Sequence, residues 1–175
     1  MSRSPENARE HDFRELLREN HGRLVRIARS YAHAGEHEDL LQDILLQVWR
    51  ALPGFNGRSS RATWVYRVAL NTALGQLRKR YARPVTQAMP NEYLMPLTPS
   101  STGDPLDTDD LLQDFLAALP PLDRAVLMLS LDDLSYTQIA EVTGLNENAV
   151  GLRLHRIKQR FNQTYLEDTT CNSIN

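Results

Sequence analysis

Between Leu134 and Phe161 the sequence LSYTQIAEVTGLNENAVGLRLHRIKQRF breaks once, at Gly144, and that break constrains how the chain around it can fold. A short helical pattern (Tyr136, Ile139 and Ala140, with Val142 trailing) runs into Gly144; Leu145 and Asn146 follow, and a longer helical pattern restarts. Glycine takes the left-handed conformation that ends a helix at little cost, and an asparagine side chain accepts from the free backbone N–H groups that open the next helix. Two helices joined by so short a turn have the layout of a helix-turn-helix, whose second helix enters the major groove of DNA.

The longer pattern divides its faces. Val150, Leu154, Ile157 and Phe161 recur at spacings of four, three and four and are expected to be buried, whereas Arg153, Arg156, Lys158 and Arg160 lie largely away from that stripe. No acidic residue occurs from Asn148 to Phe161. An apolar ridge backed by positive charge suits a groove flanked by phosphates, although basic residues also favour the C-terminal end of any helix.

A net charge of −2 over 175 residues argues against nucleic acid only until the charges are placed along the chain. From His11 to Arg83 basic residues clearly outnumber acidic ones; from Pro84 to Pro120 there is no Lys or Arg at all. That middle stretch carries Glu92, Asp104, Asp107, Asp109, Asp110 and Asp114 and is rich in Pro, Ser and Thr up to Thr108, which predicts an acidic linker between two modules. The boundaries expected are 9–83 for the first module, 84–107 for the linker, 108–166 for the second module and 167–175 for a polar tail.

Helical periodicity accounts for both modules, giving an all-α fold of two small domains. Phe13, Leu16, Leu17, Leu24, Ile27, Ala28 and Tyr31 mark a first helix, with a break expected near Asn20 to Gly22 and an end at Gly35. Leu40, Leu41, Ile44, Leu45, Val48 and Trp49 mark a second that stops before Pro53, and Trp64 to Leu77 carry a third into Arg78, Lys79 and Arg80. After the linker come a helix over Leu111 to Leu116 and one opened by Pro121, a residue suited to a first turn. No apolar run approaches the ~20 residues that span a bilayer, and the N-terminus is too polar for a signal peptide, so a cytoplasmic protein without membrane insertion is expected. Cys171 stands alone and makes no internal disulfide. His33 and His37 flank Gly35 without a third metal ligand, and no phosphate-cradling glycine loop or nucleophile elbow is present; neither metal, cofactor nor catalysis is expected.

Taken in order, DLLQDILLQVWRAL, FNG, ATWVYRVALNTAL with RKR, LPPLDRAVLML and the Leu134–Phe161 stretch resemble the bacterial RNA polymerase sigma factors of the sigma-70 family, extracytoplasmic-function (ECF) type. The resemblance covers about 21–83 and 111–161. It implies a protein that binds core RNA polymerase and directs promoter recognition, melting and initiation, and it makes an anti-sigma factor an expected partner. A stand-alone operator-binding regulator with the same helix-turn-helix is the alternative, and a first module that serves only protein interaction is a third reading.

On these residues the resemblance implies three surfaces. Asp39, Leu40, Gln42 and Asp43 match the stretch that docks on the polymerase's largest subunit; an acidic first turn also suits the helix dipole. Asn71 matches a position that grips a flipped base of the downstream element, with Arg61, Arg67, Arg78, Lys79 and Arg80 along phosphates. Trp64 and Tyr66 are candidates for base stacking, with Trp64 assigned to the core. Tyr136, Asn146, Asn148, Gly151, Leu152, Arg153, His155 and Arg156 are the expected upstream-element reader. Gly75 departs from the family's usual Asp, and Gly151–Leu152 from its usual basic residue and Ser. Either Gly151 is merely tolerated within the helix, or its bare backbone lets the helix sit closer to the groove, with Leu152 available for a thymine methyl.

Overall fold

The computed structural model describes residues 5–33, 35–81 and 108–165, all of whose regular elements are helical. The acidic stretch 84–107 and the tail 167–175, with Cys171, lie outside the described residues. The chain divides into two units, the first holding α1 (Pro5–Tyr31), α2 (His37–Ala51) and α3 (Arg61–Tyr81), the second α4 (Thr108–Ala118), α5 (Pro121–Leu131), α6 (Tyr136–Thr143) and α7 (Glu147–Tyr165).

In the first unit all three helices pack on one another. Their shared core is Leu16, Leu24, Ile27, Ala28 and Tyr31 from α1, Leu40, Ile44 and Val48 from α2, and Trp64, Val65, Ala69, Ala73 and Leu77 from α3. The break expected in α1 near Asn20 to Gly22 does not occur. Asn20 is 1% exposed, yet its amide donates to Leu16 O at 2.8 Å and its carbonyl accepts from Arg23 Nη1 at 3.0 Å, so the polar side chain is satisfied within the helix. Tertiary burial on both sides outweighs the ~0.5–1 kcal/mol that a mid-helix glycine costs. Beyond Tyr31, Gly35 turns the chain into α2 at φ 82°.

α2 ends in a 3₁₀ turn, Leu52–Gly54, that accommodates Pro53. Ser60 then opens α3: its hydroxyl accepts from Thr63 N at 3.0 Å, satisfying one of the free amides of the first turn. Near the start of α1, Arg9 lies 4.0 Å over the Trp49 ring and donates to Trp49 O at 2.6 Å, while Phe13 meets the same ring edge-on; together they fasten α1 across the end of α2.

The second unit is held by α5, α6 and α7, with Ala125, Val126, Leu129, Ile139, Val142, Val150, Leu154 and Ile157 buried between them. α4 joins through two devices. Phe115 stacks edge-on with Phe161 at 5.1 Å and with Tyr165 at 6.0 Å, and Arg124, 1% exposed, donates to Leu116 O, Ala117 O and Leu119 O at 2.7, 2.9 and 3.1 Å. The last carbonyls of a helix have no partner within it, and here one guanidinium supplies several. Between α5 and α6, Asp133 sits at φ 59°, the sole described non-glycine residue in the left-handed region.

Candidate nucleic-acid interface

The turn between α6 and α7 has the chemistry its sequence requires. Ser135 and Gln138 form a reciprocal capping box at the start of α6 (Gln138 N to Ser135 Oγ 3.3 Å, Ser135 N to Gln138 Oε1 2.9 Å). Gly144 ends α6 at φ 76°, and the Asn146 side chain accepts from Ala149 N at 2.8 Å to open α7. Asn146 is thereby committed to the helix cap, although it remains exposed.

On α7 the buried stripe is Val150, Leu154 and Ile157. Asn148, Leu152, His155 and Arg156 are exposed and share the outward face, Leu152 lying four residues beyond Asn148 and His155 and Arg156 three and four beyond Leu152. Arg153 is not on it: half-buried at the edge of the stripe, it donates to Asp123 of α5. On the opposite edge Glu147 accepts from Thr137 Oγ1 of α6 at 2.9 Å. Between them Gly151 floors an open hollow of about 540 Å³ walled by Tyr136, Glu147, Asn148 and Leu152. Tyr136 and Leu152, 47% and 59% exposed, are among the most exposed large apolar side chains described.

On α3, Arg67, Asn71 and Arg78 follow one another at spacings of four and seven, so they share a face; Asn71 and Arg78 are exposed and Arg67 is half-buried. Gly75, one turn after Asn71, leaves that face bare of a side chain. Arg61, Lys79 and Arg80 are also exposed but point elsewhere: Arg61 meets Glu15 at 3.3 Å, and Arg80 is paired with Glu36 ahead of α2. Trp64 is buried against Phe55, as expected of a core residue; Tyr66 is buried as well, under Arg23, so neither ring is presented for base stacking.

α2 turns Asp39, Gln42 and Asp43 to solvent, with Asp43 accepting from Gln76 of α3. Leu40 is 2% exposed and belongs to the core behind them. The apolar member of the exposed stripe is Leu46 instead, 42% exposed and seven residues beyond Asp39.

Residues 16–83 match the model of sigma-70 region 2, and residues 109–161 match that of sigma-70 region 4. The chain belongs to the sigma-70 family. Its relatives place it with the ECF type: it is 33% identical over 151 residues to the ECF RNA polymerase sigma factor SigG of Mycobacterium tuberculosis, an alignment covering 71% of this chain and 40% of SigG. The chain thus spans less than half the length of that relative. The M. tuberculosis ECF sigma factor SigM is 29% identical over 151 residues, covering 85% of this chain and 74% of SigM. The fold is shared with the sigma factor RpoE crystallised with the anti-sigma factor NepR from Bartonella quintana (TM-score 0.67, 23% identity, 87% of this chain and 95% of that one).

Within this family frame α1–α3 are the region 2 unit and α4–α7 the region 4 unit. The Arg9–Trp49 clasp is made from outside the region 2 match, since Arg9 precedes residue 16. Four residues that shape these surfaces escaped the sequence reading: Leu46, Asp123, Arg124 and Glu147. Arg124 carried a signal, a lone cation inside the apolar run from Leu119 to Leu131. Asp123 and Glu147 carried none, because each acquires its role from a partner on another helix.

No described helix is long and apolar enough to cross a membrane, and no cluster of potential metal ligands occurs among the described residues.

Proposed function

We propose that the chain is a transcription initiation factor: it binds core RNA polymerase, selects promoters and assists their opening, while the chemistry of RNA synthesis stays with the polymerase. A factor that acts on core RNA polymerase and promoter DNA works in the cytoplasm. The observation that carries the reading is the exposed stripe Asp39, Gln42, Asp43 and Leu46 on α2, in the same unit as the Asn71 face of α3. Acidic side chains around an exposed leucine suit a basic helical partner, with the apolar residue near the centre of the contact. Asn71 offers both a donor and an acceptor to an unstacked base, with Arg67 and Arg78 on the same face to follow the backbone.

Region 4 then reads the upstream element through α7. RpoE, of the same fold, was crystallised with an anti-sigma factor, and an inhibitor of that kind is the partner proposed to hold this chain inactive.

The test is co-purification with core polymerase. Asp39→Arg combined with Asp43→Arg reverses two exposed charges and should leave the unit folded; each lost charge-assisted contact costs about 2 kcal/mol or more, enough together to abolish recovery of holoenzyme. Normal assembly by the folded double variant overturns the docking assignment. If the purified chain selects duplex promoter DNA by itself and ignores core enzyme, it is a stand-alone regulator instead.

A further inference from the structure

We propose that Glu147 is a base-selecting residue of the region 4 unit, accepting a hydrogen bond from the exocyclic amine of a cytosine while Tyr136 and Leu152 make apolar contact with neighbouring thymine methyl groups. The inference rests on the reading of α7 as the upstream-element reader and names the chemistry it reads.

Position comes first. Glu147 is the first residue of α7, and the N-terminal residues of a recognition helix are those that reach base edges. Its carboxylate is also oriented in advance: Thr137 Oγ1 donates to Glu147 Oε1 at 2.9 Å, which limits the rotamer freedom a glutamate otherwise loses on binding and leaves the second oxygen outside that bond.

The surroundings then restrict what the site accepts. The hollow beside Glu147 has no cation in its lining, which is Tyr136, Glu147, Asn148, Gly151 and Leu152. Arg153, two residues beyond the Gly151 floor, is turned to Asp123, so the bidentate arginine–guanine contact is not offered there. A carboxylate accepts and cannot donate at neutral pH; it matches the cytosine amine and is repelled by phosphate oxygens. Exposed apolar side chains at Tyr136 and Leu152 suit the C5 methyl of thymine, and the missing side chain at Gly151 gives the base edge room to enter. Arg156, Lys158 and Arg160, exposed farther along α7, supply the positive charge that offsets an acidic residue on a DNA-facing surface.

The experiment uses holoenzyme, reconstituted from core polymerase and the full chain, transcribing a promoter library randomised across the upstream element. Promoters for the library are taken from transcripts that rise on overexpression. Wild-type holoenzyme should prefer cytosine at one position by roughly tenfold, the discrimination expected of one good base contact. Glu147→Ala should flatten the preference at that position and leave the others standing. Glu147→Gln should move it toward adenine, which an amide pairs with, and Thr137→Val should weaken it partially. A Glu147→Ala profile identical to wild type overturns the assignment, as does a uniform loss at every position, which would mean that the carboxylate acts through the fold or the overall charge. If wild-type holoenzyme shows no preference anywhere in the upstream element, the reading of α7 as a promoter reader fails before Glu147 is at issue.

Discussion

Arg153 on α7 is paired with Asp123 on α5, a contact that removes one cation from the groove-facing surface and ties the recognition helix to the helix behind it. Releasing it should be visible in DNA binding. Asp123→Asn is expected to free Arg153 for a phosphate, raising non-specific DNA affinity and steepening the log–log salt dependence by about 0.9. The loss of a partly exposed pair should cost the unit no more than about 1 kcal/mol. Salt titrations with a non-promoter duplex check it; an unchanged slope means that Arg153 stays against α5 without its partner.

Gly151 sits in α7 with the Tyr136 ring above it. A Cβ built there meets Tyr136 Cε2 at 3.5 Å, ordinary van der Waals contact, so alanine fits without displacement. Gly151→Ala should therefore stabilise the region 4 unit by about 0.5–1 kcal/mol through helix propensity alone. The same methyl raises the floor of the hollow, and selection among upstream-element variants should weaken. Thermal melts together with single-base promoter variants separate the two effects; higher stability with an unchanged preference profile removes Gly151 from recognition.

Arg124 is expected to be the most sensitive single position described in the second unit. Arg124→Met keeps the apolar stem but strips the donors from Leu116 O, Ala117 O and Leu119 O. Leu116 O keeps the Leu119 amide at 3.2 Å, but Ala117 O and Leu119 O lose the donor shown for them, and a loss of about 3 kcal/mol is the expected result of urea denaturation. Lysine in its place should recover only part of the loss, because an ammonium does not reproduce the planar fork.

Asn71→Ala should leave polymerase binding and closed-complex formation intact while slowing promoter opening. Asn71 is exposed and supports nothing in the core, and a contact to a base that has left the stack exists only in the open state. Permanganate reactivity of thymines in the bubble reports it directly. Opening at the wild-type rate, with the usual dependence on the downstream element, excludes Asn71 from the grip.

Much of this protein was determined by local sequence. The Gly144–Asn146 turn, the proline that opens α5 and the apolar stripes of α2, α3 and α7 each follow from a rule that spans a few residues, because helix ends and helix faces are set by neighbours in the chain. The same locality explains the misplaced break in α1. Asn20 and Gly22 are weak helix formers taken alone, and only packing against α2 and α3 carries the helix through them.

What tertiary structure decided was the pairing of side chains far apart in sequence, and with it which charges are available. Arg153, Arg80 and Arg61 look equivalent to Arg156 and Arg78 along the chain, yet the first three meet Asp123, Glu36 and Glu15 respectively. Leu40 and Leu46 both read as apolar positions of one helix, and packing sends the first into the core and the second to solvent. Periodicity gives the face of a helix but not what stands opposite it. The long side chains at the edges of an apolar stripe reach either to solvent or to a neighbouring helix, and three-dimensional packing selects between them.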